Sequence, residues 1–535
     1  MRRSAALRTL LGIALAGGLP RRSVAAEPHV LRYGDGLDVS SLNPLLATTG
    51  NTAAFSELTM AHFLRFDPHG TPIPELIVDV PTRANGGISA DGKSLTFHLR
   101  RGARWSDGAP FDASDVLYSV AVARDSRNNL FVRDPWEKIA DVAARGKFTV
   151  RFRLKEPFSP FIIWYFASGS ASCVLPRHVL GPSTVINTAP YNGLPVGIGP
   201  FRYTAYRRGS DVEMEANPHY WRGQPKLERI VYKLIPNQNT LLTQLQTGEL
   251  DLWQAVSGPL TTVAKGLEGK RWTTWLSNFM SAIYFNTSHP PVSDPRVRRA
   301  LRLATDRKNV FDKVMLRNGV MTESLIPVVN PDFLALPLSN YDPAAAERML
   351  DEAGWTLGAD GVRVKDGAAL ALDLALPSGY QPSEIFADLL KENWAKVGVR
   401  LTIHVCPSAQ FFTTYANGGV IETGKFDVAL LSQAVPLLYA DIAGAYGCRS
   451  IAPHGANFIR YCDPDVDALN ERYVQTYDRR MQKVLAARIQ RLVDRDCPMI
   501  EIYERAFVSV FDANLTGYAP NPFSYWGDPL KLDIT

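Results

Sequence analysis

Several features that mark enzymes are missing from this sequence of 535 residues. It has no Gly-x-Ser-x-Gly, no His-Glu-x-x-His and no Cys-x-x-Cys motif, and its nine His are scattered. The run from Gly419 to Lys425 matches the first seven positions of a phosphate-binding loop. Phe426, however, stands where a Ser or Thr would hold magnesium. We therefore expect no catalytic residue, no bound metal and no cofactor.

Long apolar runs are also absent. Arg2 and Arg3 precede a short apolar stretch from Leu10 to Leu19, and Val24-Ala25-Ala26 then offers small residues for signal peptidase. The stretch is interrupted by Gly and is shorter than the roughly 20 apolar residues of a spanning helix. Residues 1 to 26 are thus predicted to be an export signal, cleaved near Ala26 in the periplasm. No Cys stands at the cleavage point, so we expect no lipid anchor, while Sec and twin-arginine export both stay open.

An excess of one charge is missing once the signal is removed. The formal net charge is +5, but residues 1 to 26 contain five Arg and no acid, which leaves 53 basic and 53 acidic residues. A balanced chain without long runs of one sign shows no footprint for nucleic acid or for an anionic membrane. We expect neither partner, and we expect a monomer.

Cysteine is scarce, and the five Cys of an exported chain permit at most two disulfides. Cys448 and Cys462 are the predicted pair, because their disulfide would staple the Gly- and Pro-containing loop between them. Cys173, Cys406 and Cys497 each lie beside apolar residues, so we expect them to be buried thiols.

The remaining residues are too many for one hydrophobic core and suggest two or three domains. Their pattern is α/β. Asp294-Pro295 and Asp342-Pro343 each predict a helix start, with a capping side chain followed by a first-turn Pro. Strand, helix and strand patterns over 370–376, 382–397 and 399–405 predict a parallel crossover.

A series of motifs follows this pattern in a fixed order. It includes Arg104-Trp105-Ser106-Asp107-Gly108, Val196-Gly197-Ile198-Gly199-Pro200-Phe201, Asn217-Pro218-His219-Tyr220-Trp221, Gly248-Glu249-Leu250-Asp251, Tyr284-Phe285-Asn286-Thr287 and Phe426-Asp427-Val428-Ala429. With these motifs the chain resembles the extracytoplasmic solute-binding proteins of family 5, the oligopeptide, dipeptide and nickel receptors of ABC importers.

The resemblance implies an α/β fold of the two-lobed periplasmic binding protein type II (cluster C), with an inserted subdomain and a hinged cleft. Residues 27 to 66, 197 to 277 and 502 to 535 would form lobe I, 67 to 196 the insert, and 278 to 501 lobe II. Two strands would cross between the lobes near Asn278 and Ile500. Closure would bury a peptide or peptide-like solute and present a surface to an inner-membrane ABC permease.

The resemblance also indicates where the ligand would lie. In lobe I the backbone of Thr48, Thr49 and Gly50 would pair with an extended ligand. The expected ligand-binding residues across the cleft are Asn278, Ser281, Tyr284, Ser432, Gln433, Ala434 and Asp441. The aromatic residues Trp275, Phe279, Tyr284 and Tyr439 would form a stacking wall or belong to the core.

One departure from the family bears on the ligand. Relatives that grip a peptide's amino group carry a Trp-containing turn and an acid after the strand that begins near Phe426. This chain has no Trp there, and Pro436 stands where the acid would fall. Asp441 would supply the charge from a shifted loop or simply start a helix. Opines, oligosaccharides, metal chelates and modified peptides therefore stay open as ligands, as do a sensing or chaperone role and a secreted hydrolase.

Overall fold

The structure is a computed structural model that describes residues 29–39, 41–46, 50–130, 133–164, 166–167, 172–256 and 260–535. The predicted signal peptide lies outside these ranges. None of the helices within them combines the length and the apolar character that crossing a membrane requires.

The strands follow the chain in this order: β1 (Val30–Asp35), β2 (Leu64–Phe66), β3 (Pro72–Pro74), β4 (Ser94–His98), β5 (Ile139–Ala144), β6 (Thr149–Leu154), β7 (Phe201–Arg207), β8 (Asp211–Ala216), β9 (Arg229–Leu234), β10 (Leu252–Val256), β11 (Lys270–Phe285), β12 (Gly319–Val320), β13 (Thr356–Leu357), β14 (Arg363–Lys365), β15 (Ala368–Ala369), β16 (Ala371–Pro377), β17 (Arg400–Cys406), β18 (Val428–Ala434), β19 (Met499–Asp512), β20 (Leu515–Thr516) and β21 (Asp533–Ile534).

The α-helices are α1 (Gly50–Thr59), α2 (Ala113–Arg124), α3 (Asp134–Glu137), α4 (Phe161–Trp164), α5 (Arg177–Leu180), α6 (Gln238–Thr247), α7 (Leu260–Lys265), α8 (Pro295–Leu303), α9 (Arg307–Asn309), α10 (Pro343–Glu352), α11 (Gln381–Ala395), α12 (Ser408–Phe411), α13 (Val420–Thr423), α14 (Ala443–Tyr446), α15 (Pro464–Gln475) and α16 (Arg479–Asp496). Short 3-10 or π-helical turns cover Pro190–Gly193, Val310–Val314, Tyr415–Asn417, Cys448–Ser450 and Pro529–Lys531.

One large sheet runs through the molecule in the order β17-β16-β18-β11-β19-β10-β1-β9-β8-β7, with β12 added to β19. β11 and β19 pair antiparallel over almost their whole length, from Lys270 opposite Asp512 to Tyr284 opposite Met499. The far half of β19 also pairs with β10, and the far half of β11 pairs with β18. These two long strands therefore join two otherwise separate α/β units.

The local expectations for lobe II are confirmed. The Asp294 side chain accepts a hydrogen bond from the Arg296 N–H, and the Asp342 side chain caps α10 through the Ala345 N–H. β16, α11 and β17 form the predicted parallel crossover, with Ala371 opposite Arg400. The strand expected to begin near Phe426 is β18, which begins two residues later, at Val428.

The buried side chains form several cores that agree with the two lobes and the insert. The insert has an aromatic core around Phe97, Phe152 and Phe161. Lobe II has apolar clusters around Trp394 on one face of its sheet and around Tyr473 on the other. The predicted boundaries of these units, residue by residue, stay a prediction.

The predicted disulfide is confirmed, because Cys448 and Cys462 are bonded. Cys173 and Cys497 are buried thiols, as expected. The expectation for Cys406 is wrong, since its side chain is partly exposed. It ends β17 at an open edge of the sheet, where apolar neighbours in sequence do not cover it.

The two motifs rich in Gly, Pro and aromatic residues meet at the joint between α1 and β7. The Gly199 N–H donates to the Thr59 carbonyl at 3.0 Å, and the Asn217 side chain donates to the Gly199 carbonyl at 2.8 Å. A Cβ at Gly197 would lie 1.8 Å from the Thr59 oxygen, which is backbone and cannot rotate away. The joint therefore needs Gly for close approach of two backbones.

This joint gives a matched pair of substitutions. We expect Gly197→Ala to cost about 3 kcal/mol or more, because overpacking against backbone forces the chain apart. Gly193→Ala, where no heavy atom lies within 4 Å of the new Cβ, should be close to neutral. The check is the thermal unfolding midpoint of both variants, and equal midpoints would show that the joint tolerates displacement.

Candidate functional site

The parallel strands of both units end next to the crossing strands. In one unit β10 ends at Val256, which pairs with Val508 of β19. In the other, β18 ends at Ala434, which pairs with Phe279 of β11. Open α/β sheets bind ligands outside the carboxyl ends of their strands. The candidate site is therefore the cleft where these ends converge on the middle of β11 and β19.

The structure brings most of the expected lobe II residues together at this place. The Ser281 and Ser432 hydroxyls lie 2.6 Å apart, and the Val435 N–H donates to the Asn278 carbonyl at 2.8 Å. Gln433 and Ala434 continue the same strand end, and Ala434 is exposed. We call Asn278, Ser281, Ser432 and Gln433 the polar strip, which lies at the lobe II side of the cleft.

An aromatic wall, defined as Trp275, Phe279, Phe507 and Tyr525, lies beside the polar strip. The ring of Trp275 is 5.0 Å from that of Phe507 and 5.5 Å from that of Tyr525, both edge to face. Phe279 is 6.5 Å from Phe507. A Cβ on Gly50 would be 3.4 Å from the Tyr525 hydroxyl, so the wall reaches the expected lobe I site.

Glu57 of α1 holds this end of the wall in place. Its carboxylate accepts hydrogen bonds from the Ser524 hydroxyl at 2.7 Å and from the Tyr525 N–H at 3.0 Å. Burial raises the pKa of Glu57 to about 8, against the lowering effect of these donors. The carboxyl group thus fixes the segment that carries Tyr525.

Two expected ligand residues lie elsewhere. Tyr284 is 1% exposed and packs edge to face on Phe458 in the core of lobe II, so no part of it faces the cleft. The Asp441 carboxylate accepts hydrogen bonds from the Asn470 side chain at 2.9 Å and from the Ala443 N–H at 3.2 Å, just before α14. Thr48 and Thr49 lie outside the described residues.

The sequence analysis missed Arg505 and Tyr380. Arg505 lies on β19 between Tyr503 and Phe507, and its guanidinium carbon is 5.0 Å from the centre of the Tyr380 ring. The signal for Arg505 was present, because Glu504-Arg505 places two adjacent charged residues within a mostly apolar strand. Tyr380 carried no such signal, since only the fold brings it next to β19.

The insert contacts lobe II directly across the molecule. The Tyr477 hydroxyl donates to the Gly92 carbonyl at 3.1 Å, and the Ser159 N–H donates to the Val474 carbonyl at 2.7 Å. The Gln482 side chain donates to the Ser159 hydroxyl at 2.8 Å. The insert and lobe II are therefore in direct contact in this structure.

Glu504 is a buried acid on the crossing strand β19. It is 0% exposed, its Oε1 accepts from the Val328 N–H at 2.8 Å, and its Oε2 has no hydrogen-bond partner among the described residues. Burial raises the pKa of Glu504 to about 7.

The described ranges contain no group of three or more His, Cys, Asp or Glu that would hold a metal ion.

A two-unit α/β molecule with two crossing strands and a cleft between them has the architecture of a two-lobed binding protein. A family model described as bacterial extracellular solute-binding proteins, family 5 Middle, matches residues 71–437. The chain therefore belongs to the family 5 extracellular solute-binding proteins.

Individual relatives agree with this assignment. Protein XP55 of Streptomyces lividans is 29% identical over 481 residues, which cover 88% of this chain and 82% of that protein. The nickel-binding periplasmic protein of Escherichia coli is 28% identical over 389 residues, 71% of each chain. The oligopeptide-binding protein AppA of Bacillus subtilis, solved with a nonapeptide, is 21% identical with a TM-score of 0.79, covering 95% of this chain and 100% of its own.

The raised pKa of Glu504 predicts how stability depends on pH. The folded state tolerates the neutral acid, so wild type loses stability as pH rises from the unfolded pKa of 4.5 to the folded pKa of about 7. Glu504→Gln cannot ionise, and we expect its advantage over wild type to grow by up to about 3 kcal/mol across that range. Thermal midpoints at pH 4.5 and pH 8 check this, with the exposed Glu228→Gln as control. A constant difference between wild type and Glu504→Gln would contradict it.

Proposed function

We propose that the protein captures a peptide or peptide-like solute between its two lobes and delivers it to an inner-membrane ABC permease. The observation that carries this proposal is the convergence of both sets of strand ends on the crossing strands, beside the aromatic wall. A cleft built on only two shared strands can open by small backbone rotations, which is the hinge motion of periplasmic receptors. The chemistry we propose is binding without catalysis.

The family supports the class of solute but leaves its identity open. A nickel-binding protein and a peptide-binding protein both resemble this chain. A non-peptide ligand, such as an opine, an oligosaccharide or a metal chelate, is the alternative in the same cleft. A sensing or chaperone role would use the same site. We further propose export to the periplasm, cleavage near Ala26 without lipidation, and a monomeric state.

The charge distribution argues against capture of a peptide by its free amino group. The strand end that follows Ser432 has no acid, and Asp441 is engaged by Asn470 and by the backbone before α14. A buried ammonium without a carboxylate partner is costly, so a free N-terminus would gain nothing here. A solute whose amino group is blocked or absent fits this strip better.

This argument predicts the response to N-acetylation. We expect N-acetyl-Ala-Phe to bind the mature protein more tightly than Ala-Phe, since the free ammonium of Ala-Phe loses its hydration and finds no acid. Asp441→Ala should leave both values unchanged. Isothermal titration calorimetry measures them. Tight binding of only the free dipeptide, abolished in Asp441→Ala, would restore Asp441 as the amino anchor.

The proposed function itself is tested by what the protein carries. We would express the mature protein in the periplasm, record its native mass and identify the solute released on denaturation. A peptide mixture or a discrete peptide-like compound, together with loss of its uptake when the gene is deleted, would support capture and delivery. Normal uptake in the deletion strain would contradict delivery.

A further inference from the structure

Arg505 occupies the middle of the candidate site. It lies on the same face of β19 as Tyr503 and Phe507, and Phe507 pairs with Trp275 of the aromatic wall. The guanidinium carbon lies 5.0 Å from the Tyr380 ring centre and 5.9 Å from that of Phe507. The side chain is held between one ring from lobe II and one from the wall, and it stays partly exposed.

The charge of Arg505 has no acid partner. Within the described part of the chain, its guanidinium makes no ion pair and no hydrogen bond, whereas several other partly or fully buried Arg side chains do. Arg307 pairs with Glu323 at 2.6 Å, and Arg479 pairs with Asp332 at 2.9 Å. Contact with an aromatic face stabilises a cation by only about 0.5–2 kcal/mol. It also leaves the five N–H donors of the guanidinium without acceptors.

A second positive feature lies next to this guanidinium. α11 has 15 residues and begins directly after Tyr380, and no side chain caps its first turn. The N-terminus of a helix carries a partial positive charge and unpaired N–H groups. Glu384 is the acid of that first turn, but it makes no ion pair with Arg505 in the described structure. The helix N-terminus and the Arg505 guanidinium thus both adjoin Tyr380.

We propose that Arg505 binds the carboxylate of the captured solute, and that this solute has an aromatic or flat apolar body and no free ammonium group. The carboxylate takes the guanidinium donors in the fork geometry that suits Arg. The apolar body packs on the aromatic wall, and the polar strip of Ser281 and Ser432 offers hydroxyls to its remaining polar groups. This inference rests on the proposed function and names the solute class for the same cleft.

The test compares one acid with its neutral amide. N-acetyl-phenylalanine has a carboxylate, an aromatic ring and a blocked amine, and N-acetyl-phenylalaninamide differs only at the carboxylate. We expect wild type to bind the acid at least about tenfold more tightly, because a charge-assisted pair is lost in the amide. Calorimetry on the mature protein gives both dissociation constants.

Three variants assign the preference to one side chain. Arg505→Gln should lose the preference for the acid, and Arg505→Lys should keep part of it, because Lys keeps the charge but not the fork. Arg101→Gln is the matched control, since Arg101 also lies over a ring, that of Phe148 at 5.3 Å, on an exposed surface of the insert. It should keep the full preference, and thermal midpoints confirm that each variant is folded.

The outcomes separate this inference from the proposed function. Equal affinities for acid and amide in wild type, or an unchanged preference in Arg505→Gln, would overturn the role of Arg505. Failure of both probes to bind wild type would overturn the assigned solute class, while capture of another solute recovered from the periplasmic protein would still stand. If wild type prefers the acid but the deletion strain takes up the solute normally, the proposed delivery to a permease would be contradicted. The binding role of Arg505 would still stand.

Discussion

The antiparallel pairing of β11 with β19 is the constraint on which the rest of the structure depends. Its hydrogen bonds join two α/β units into one sheet, and the pairing shifts register between Leu276 and Met280, where the units meet. An irregular ladder bends more easily than a regular one. The strand pair therefore holds the two lobes together, and its register shifts lie where the lobes meet.

β11 and β19 line the candidate cleft, and β19 also carries a buried polar group that destabilises the folded state. One face of β19 presents Arg505 and Phe507 to the site, while the other buries Glu504 beside the Val328 backbone. Polar groups inside an apolar environment destabilise the folded state unless they are satisfied. Natural proteins accept such local conflicts mainly at functional sites. Glu504 and Arg505 are adjacent charged residues of this kind in a mostly apolar strand, which is consistent with the proposed site.

The local structure could be predicted from the sequence better than the candidate site could. Asp294-Pro295 and Asp342-Pro343 marked helix starts because capping depends on residues adjacent in the chain. The disulfide was predictable from two Cys flanking a loop. Tyr284 was expected in the cleft, yet it packs in a core, because a strand pattern does not say which face is covered. The proximity of Arg505 to Tyr380 depends on residues more than a hundred positions apart.

The position of β19 in the sheet also bears on how the protein is made. This strand comes late in the chain, yet it lies between β11 and β10 at the centre of the sheet. The two halves of the sheet cannot be joined through β19 until residues near 512 have been synthesised, since the position between β11 and β10 is empty until then. A chain stalled before β19 would hold the two halves of the sheet without the strand that lies between them.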